Sequence, residues 1–326
     1  MPVTYMLVEQ VCKYLNLVEL LENAVKRNLT DGLLLSGGLD TSILAGLVYR
    51  YQKPYCITLA LKGAPAPDIK YAKEVAELFK LEHFIHLAGE EEMEEGIHKA
   101  IKILGSFDPM EVRNSAACFL GLRICQSKGL TSVMTGDGGD ELFAGYSFYF
   151  DLSKELLDAE LKTMWSNMSF SSIPLAEHLG IDVRLPILDP DFKSFAMNLD
   201  SSFKVGQHNG QTFGKFILRQ AFKSLLPPEI LWRTKTPLEV GTGTTTLPAF
   251  FKTRIPNAEF NRKKELYLKE DRVTIRSEEH LHYYEIYRKM YPIPGQDATY
   301  GKKCPECGGK VKEKTAYCRI CGAYPI

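Results

Sequence analysis

The sequence predicts an α/β fold: a twisted parallel sheet flanked by helices, then a helical second half, then a small cysteine-rich module. Three observations predict it. Short apolar runs alternate with amphipathic stretches from the N-terminus to about residue 135, the pattern of βαβ units. Strand-like runs fade after about residue 150. Four of the eight cysteines crowd into the last 23 residues as two Cys-x-x-Cys pairs.

The elements follow in order. From Leu7 to Arg27, apolar residues at Leu7, Val8, Val11, Tyr14, Leu15, Val18, Leu21 and Ala24 recur at helical spacing. Gly32 to Leu35 is a short apolar run before a glycine-rich turn, as expected of a buried parallel strand. Thr41 to Tyr51 reads as a helix, Pro54 to Leu61 as a strand, and Asp68 to Phe79 as an amphipathic helix. His83 to Leu87 is a further strand. Glu90 to Leu104 is a helix whose acidic first turn suits the helix dipole. Ser115 to Ser127 reads as helical and Thr131 to Thr135 as a strand. Beyond these, 151–179 and 212–225 look helical, 241–246 (GTGTTT) reads as a flexible loop, and 276–290 is a last, tyrosine-rich helix. Residues 292–301 have linker composition. The expected division is an N-terminal helix over 1–30, a main domain over 31–292, a linker over 293–303 and the cysteine module over 304–326.

Bulk properties exclude several classes. The 326 residues are 45% hydrophobic and 25% charged, with 40 basic and 40 acidic side chains that cancel. Coating of nucleic acid or membrane by net charge is thereby disfavoured. No apolar run approaches the ~20 residues of a membrane span, and MPVTYMLVEQ lacks a basic secretory leader. A reducing, cytoplasmic setting is expected. Cys12, Cys56, Cys118 and Cys125 lie among apolar neighbours and read as small buried hydrophobes. Cys304, Cys307, Cys318 and Cys321 have the spacing of two knuckles that give tetrahedral sulfur ligation, which suits a structural zinc. Around them lie Lys302, Lys303, Lys310, Lys312, Lys314 and Arg319, against Glu306 and Glu313, so the ribbon could also grip nucleic acid. His280 and His282, two apart on a helix, make no ligand pair, and they and the nearby tyrosines read as surface or packing residues.

Two loops carry chemistry. Ser36-Gly37-Gly38-Leu39-Asp40-Thr41-Ser42 joins the first strand to a helix. Its glycines let backbone N–H groups surround an oxyanion, the helix start adds positive potential, and the hydroxyls add donors. Asp40 suits a magnesium ligand better than a phosphate neighbour. The lysine of a Walker A loop is absent. Thr135-Gly136-Asp137-Gly138-Gly139-Asp140-Glu141 follows the last clear strand, so in a parallel sheet it lies beside the first loop. Carboxylates next to a polyphosphate repel it unless a cation joins them. A capped tight turn and a solvated acidic turn are the plainer alternatives for each loop taken alone.

SGGLDTS resembles the pyrophosphate loop of the N-type ATP pyrophosphatases, with their adenine nucleotide alpha hydrolase-like fold. TGDGGDELFAGY narrows the resemblance to the synthetase domain of glutamine-dependent asparagine synthetases. ELLENAVKRNLTDGLLLSGGLDTS, GIDVRLPILD, LPPEILWRTKTPLEVG and EEHLHYYEIYRKMYP resemble further segments of that domain in order, over roughly 18–292. The resemblance implies activation of a carboxylate by ATP to an acyl-adenylate, then attack by ammonia. By motif position, Ser36, Gly37, Gly38, Thr41 and Ser42 would hold pyrophosphate. Leu34, Leu59, Thr135 and Gly136 would contact adenosine, and Asp40 and Asp140 would hold Mg2+. Asp137, where the family often has Glu, would deprotonate the attacking ammonium. Lys235 would steady the departing pyrophosphate. Arg184 and Asp189 would form an ion pair or touch substrate.

Three departures qualify this. No glutaminase domain of the family's kind is expected before the first loop, so the expected nitrogen source is free ammonia or a separate glutaminase subunit. Ser171-Ser172-Ile173-Pro174 stands where the family has an Arg and an Asn or Asp, which leaves the acceptor open between aspartate, another small acid and tRNA. The zinc ribbon is an addition. The alternative reading is a tRNA-modifying ATP pyrophosphatase that grips RNA with the ribbon; a nucleotide-binding regulatory subunit is a third. A homodimer is compatible with all three.

Overall fold

The computed structural model describes residues 2–296, 301–313 and 315–326, with side chains from Cys12 onward. A five-stranded sheet of order β3-β2-β1-β4-β5 is parallel throughout. Its strands are β1 (Gly32–Leu34), β2 (Tyr55–Leu61), β3 (His83–Ala88), β4 (Ser132–Met134) and β5 (Asp182–Arg184). Helix α1 (Pro2–Arg27) leads in. The crossovers are α2 (Leu39–Val48), α3 (Asp68–Leu78), α4 (Glu90–Leu104) and α5 (Pro109–Ser127). One apolar core joins α1, α2 and α3 on one side of the sheet, and a second joins α4 and α5 on the other. The order reverses between β1 and β4, and their carboxyl ends lie in register, Leu33 opposite Met134. That switch point is where an open parallel sheet leaves a crevice.

After β4 come α6 (Gly139–Leu142), α7 (Lys154–Asn167), α8 (Ser172–Leu179), α9 (Pro190–Asn198), α10 (Phe216–Ala221), α11 (Pro228–Leu231), α12 (Leu238–Thr242), α13 (Leu247–Arg254), α14 (Asn257–Glu270) and α15 (Glu278–Met290). Strands β6 (Gly206–His208) and β7 (Gln211–Phe213) form a hairpin.

Several expectations change. The 151–179 helix is two helices, broken over 168–171. Within 212–225 the chain starts as β7, and only Phe216–Ala221 is α-helical. Residues 241–246 are not a loose loop. Gly241 lies against the Asp68 carboxylate, Gly243 turns the chain at φ +83°, and Thr242 donates to Leu238 O at 2.8 Å. The strands do not end at 135: β5 was hidden because a three-residue edge strand shows only polar and half-buried positions. Helix α5 starts at Pro109, six residues earlier than periodicity indicated, because Asp108 caps it by accepting from Met110 N at 3.2 Å. Cys56 and Cys125 are buried as expected, but Cys12 is exposed. His280 is fully buried and the α15 tyrosines are packing residues. Part of the expected linker, 297–300, and Lys314 lie outside the described residues.

Candidate active site

The crevice at the switch point holds a cavity of about 280 Å³ between the two glycine-rich loops. Its apolar end is made by Leu34, Ile57, Leu59, Ala117, Cys118 and Gly121. The other end is charged. It begins at the N-terminus of α2, where Gly38, Asp40 and Thr41 face the cavity and free backbone N–H groups favour an anion. Ser36 and Thr41 hydroxyls meet at 3.1 Å, and Gly38 N–H donates to Ser36 Oγ at 3.2 Å, so the first loop is held before any ligand arrives. Gly37, at φ +69°, packs its Cα against Tyr71 and Ala72; a Cβ there would collide with their backbone.

Across the crevice, Asp140 and Asp137 come from the second loop. Gly139 lies directly on the Asp40 carboxylate, and this contact brings the loops together. Lys215 sits between them. Its Nζ is 2.5 Å from Asp40 Oδ2 and 2.8 Å from Asp140 Oδ1. Lys235 Nζ is 3.1 Å from Asp140 Oδ2. Burial pushes the Asp40 carboxyl up, and Lys215 offsets this only in part. Asp140 is also buried, but two ammoniums outweigh that and hold it below the usual carboxylate range. Lys215 is buried as well, yet its two carboxylates raise it above an ordinary lysine.

Asp137 Oδ2 accepts from Thr135 Oγ1 at 2.8 Å and from Ser172 Oγ at 2.5 Å. Burial pushes this carboxyl up, and the two hydroxyls pull it only part of the way back. Asp40, Asp68, Asp137 and Asp140 line the cavity with Lys215, Lys235, Arg219 and Arg233, so its formal charges balance. Asp40 Oδ1 is buried with no hydrogen-bond partner. Hard oxygen donors and a buried carboxylate oxygen left unpaired fit Mg2+.

The structure brings together most residues singled out from sequence. Leu34, Ser36, Gly38, Asp40, Thr41, Leu59, Thr135, Gly136, Asp137, Asp140 and Lys235 all line one cavity. Gly37 and Ser42 do not line it; Ser42 is fully buried with an unpartnered hydroxyl. Arg184 and Asp189 do not pair. Arg184 binds Asp182 within its own strand at 2.5 Å, and Asp189 takes Arg27 at 2.5 Å and Asn28 at 3.2 Å. The reason is β5: it aims Arg184 to solvent, while Asp189 caps α9 away from the crevice.

Sequence reasoning missed Lys215, Asp68, Arg233 and Ser172. Lys215 carried a faint signal, a lysine at a helix start where the dipole disfavours it. It holds φ +54°, a conformation costly for a side chain and fixed here by its N–H on Phe143 O at 2.8 Å. Arg233 spans Asp68 at 2.5 Å and Gly37 O at 3.2 Å, so it braces the first loop from behind.

A second cluster gathers Cys304, Cys307, Cys318 and Cys321, with all Sγ atoms within 4.8 Å. Cys304 and Cys321 lie 3.7 Å apart, and Cys307 and Cys318 3.8 Å. A tetrahedron with Zn–S bonds of about 2.3 Å has edges of about 3.8 Å, so the cluster fits zinc. Gly308 and Gly322 close the two knuckles onto Cys304 O and Cys318 O at 2.9 and 2.8 Å.

Comparison with known proteins finds relatives of the main domain. The asparagine synthase family profile matches residues 16–175 and 174–293. The chain is 29% identical over 315 residues to a probable glutamine-hydrolysing asparagine synthetase of Dictyostelium discoideum, covering 86% of this chain and 54% of that one. It is 31% identical over 242 residues to a glutamine-hydrolysing asparagine synthetase of Lotus japonicus, covering 67% and 41%. Against asparagine synthetase B of Escherichia coli (strain K12) the values are 27% over 297 residues, 84% and 53%. The chain thus spans about half the length of the curated relatives it matches, or less. Among the described residues, no helix is long and apolar enough to cross a membrane.

Proposed function

The chain belongs to the asparagine synthase family, and from that premise we propose that it joins ammonia to a carboxylate with cleavage of ATP to AMP and pyrophosphate. The observation that carries this reading is the Asp40–Lys215–Asp140–Lys235 array facing the anion-ready start of α2 across one cavity. The apolar end suits adenine, with the loop of Ser36, Gly38 and Thr41 at the phosphates. Mg2+ held by Asp40 and Asp140 would neutralise the phosphates and raise the electrophilicity of the α-phosphorus.

The acceptor carboxylate oxygen attacks that phosphorus, the bond to the bridging oxygen breaks, and pyrophosphate leaves with its charge met by Lys235. Asp137 then takes a proton from ammonium, the resulting ammonia attacks the acyl carbon, its nitrogen sheds a second proton to solvent, and AMP leaves with the bonding pair. Asp137 suits the base role because it is buried, lines the cavity and is oriented by Thr135 and Ser172. The nitrogen donor at this site is ammonia itself, supplied free or by a separate glutaminase. The preferred acceptor is a small acid.

The tRNA alternative draws less support from the ribbon. Lys302 is spent on Thr315 O and Ile326 O at 2.9 and 3.1 Å, and Arg319 on Asn167 O. The test is a panel of small carboxylic acids, aspartate included, each with ATP, Mg2+ and ammonium, scored for AMP. The reading requires at least one acid to give AMP and an amide. AMP formation with bulk tRNA and with none of the acids would overturn it in favour of the alternative.

A further inference from the structure

The ribbon is built into the domain rather than appended to it. Its four cysteines and Ala323 belong to the same apolar core as α4, α5 and α15. Phe107 N–H donates to Ile320 O at 2.7 Å, and Ser106 Oγ to Arg319 O at 2.7 Å. Tyr317 OH donates to Asp108, the residue that caps α5, and Gly322 lies against the same carboxylate. On the far flank, Arg276 bonds Glu306 at 2.9 Å and also reaches Cys321 O. Thr274 N–H donates to Glu306 O at 2.8 Å.

This dock leads to the acceptor side of the cavity by a short route. Arg319, next to the ligand Cys318, donates to Asn167 O, the last carbonyl of α7. Its charge also faces Glu111 in the first turn of α5. Glu111 accepts from Ser115 Oγ at 3.2 Å, and the Ser171 hydroxyl approaches the same carboxylate. The next residue, Ser172, donates to Asp137 at 2.5 Å. The segment 168–171 thus runs from Asn167, which the ribbon holds, to Ser172, which is bonded to Asp137. Two helical turns beyond Glu111, α5 supplies Cys118 to the cavity wall.

We propose that the zinc ribbon is a positioning element for the amide-forming step, with Arg319 acting through Asn167, Glu111 and Ser171–Ser172 to fix the carboxylate of Asp137. This rests on the reading above that Asp137 takes the proton from ammonium. Arg319 itself touches no reacting atom. The pyrophosphate loop lies on the other side of the crevice and takes no support from this route, so the two half-reactions respond differently to the ribbon.

The test uses the zinc-loaded full chain with Arg319→Ala, Arg319→Lys and Glu111→Gln, each first checked for zinc content. Hydrogen exchange is read over 168–175 and 36–42. Arg319→Ala should exchange about tenfold faster over 168–175 and at the wild-type rate over 36–42. With ATP, ammonium and an acid from the panel, it should form amide about tenfold more slowly and adenylate at the wild-type rate. Arg319→Lys, which keeps the charge, should recover most of the loss. Should Arg319→Ala lose zinc, Glu111→Gln reports the same segment from the domain side and should give the same split. Wild-type exchange over 168–175 together with an unchanged ratio of amide to adenylate would overturn the proposal. If no acid gives AMP, the reading of function fails, and the exchange measurement alone decides the coupling.

Discussion

Asp40 and Asp140, at the carboxyl ends of β1 and β4, are answered by the ammoniums of Lys215 and Lys235 and open on a cavity. Asp108 and Glu279, beneath the ribbon, are answered by hydrogen bonds within a packed core. Asp108 takes Met110 N and Tyr317 OH, and Glu279 takes Arg113 at 2.7 Å and Tyr283 OH at 2.9 Å. In the second region every carboxylate oxygen is committed to a fixed donor. In the first, Asp40 Oδ1 has none. Buried acids are not by themselves a site. They become one where a carboxylate oxygen is left without a donor at a cavity that a ligand can enter.

That contrast can be broken or sharpened by substitution. Asp40→Asn should leave the fold intact and reduce magnesium-dependent pyrophosphate release by at least about 10³-fold, about 4 kcal/mol of barrier. Retained release would mean that Asp40 is structural like Asp108. Cys318→Ser should drop zinc from about one per chain to well below it. It should also lower stability to chemical denaturation by roughly 3 kcal/mol, the scale of losing a structural metal. A variant with full zinc would remove the ribbon from the account. Lys235→Ala should slow pyrophosphate release by about 10²-fold, about 2.7 kcal/mol, with fold and zinc unchanged.

The smallest effect concerns pH. His280 stacks on Phe107 with ring centroids 5.2 Å apart, and its Nδ1 accepts from Arg276 N at 3.2 Å. Burial, with Arg276 adding to it, holds the imidazole down to about 3. The unfolded chain takes up this proton below about 6.5 while the folded chain does not. Above that pH His280 contributes no slope. Below it stability falls by up to about 1.4 kcal/mol per pH unit until the folded value is reached. His280→Asn, which keeps an acceptor near the Nδ1 position, should lose this component, measured as a shallower fall in stability between pH 6 and 4. Equal slopes for the two proteins would show that the buried imidazole is not what titrates.

Much of this was legible in sequence where local signals were dense. The alternation of runs up to Thr135 located four of the five strands of the parallel sheet, and the two glycine-rich loops named nine of the residues that line the cavity. The cysteine spacing located the ribbon. What was not legible depends on distance along the chain. Lys215 lies 175 residues from Asp40, and no spacing rule connects them. Ser172 reads as a departure from the family pattern until the fold sets its hydroxyl on Asp137. Asp189 sits in a recognisable segment, but only the fold shows that it serves Arg27 and the start of α9. Nor could composition show that the ribbon's charges are partly spent, because Arg319 and Lys302 find backbone carbonyls only once the ribbon is folded and docked.

The central claim is that this cavity activates a carboxylate by cleaving ATP between its α- and β-phosphates and passes the acyl group to ammonia. The most direct measurement is 31P NMR of the full chain with ATP, Mg2+, ammonium and the acid panel, paired with mass analysis of the organic product. The account predicts AMP and pyrophosphate in equal amounts, together with an amide one mass unit lighter than the acid. ADP and orthophosphate in their place would contradict it.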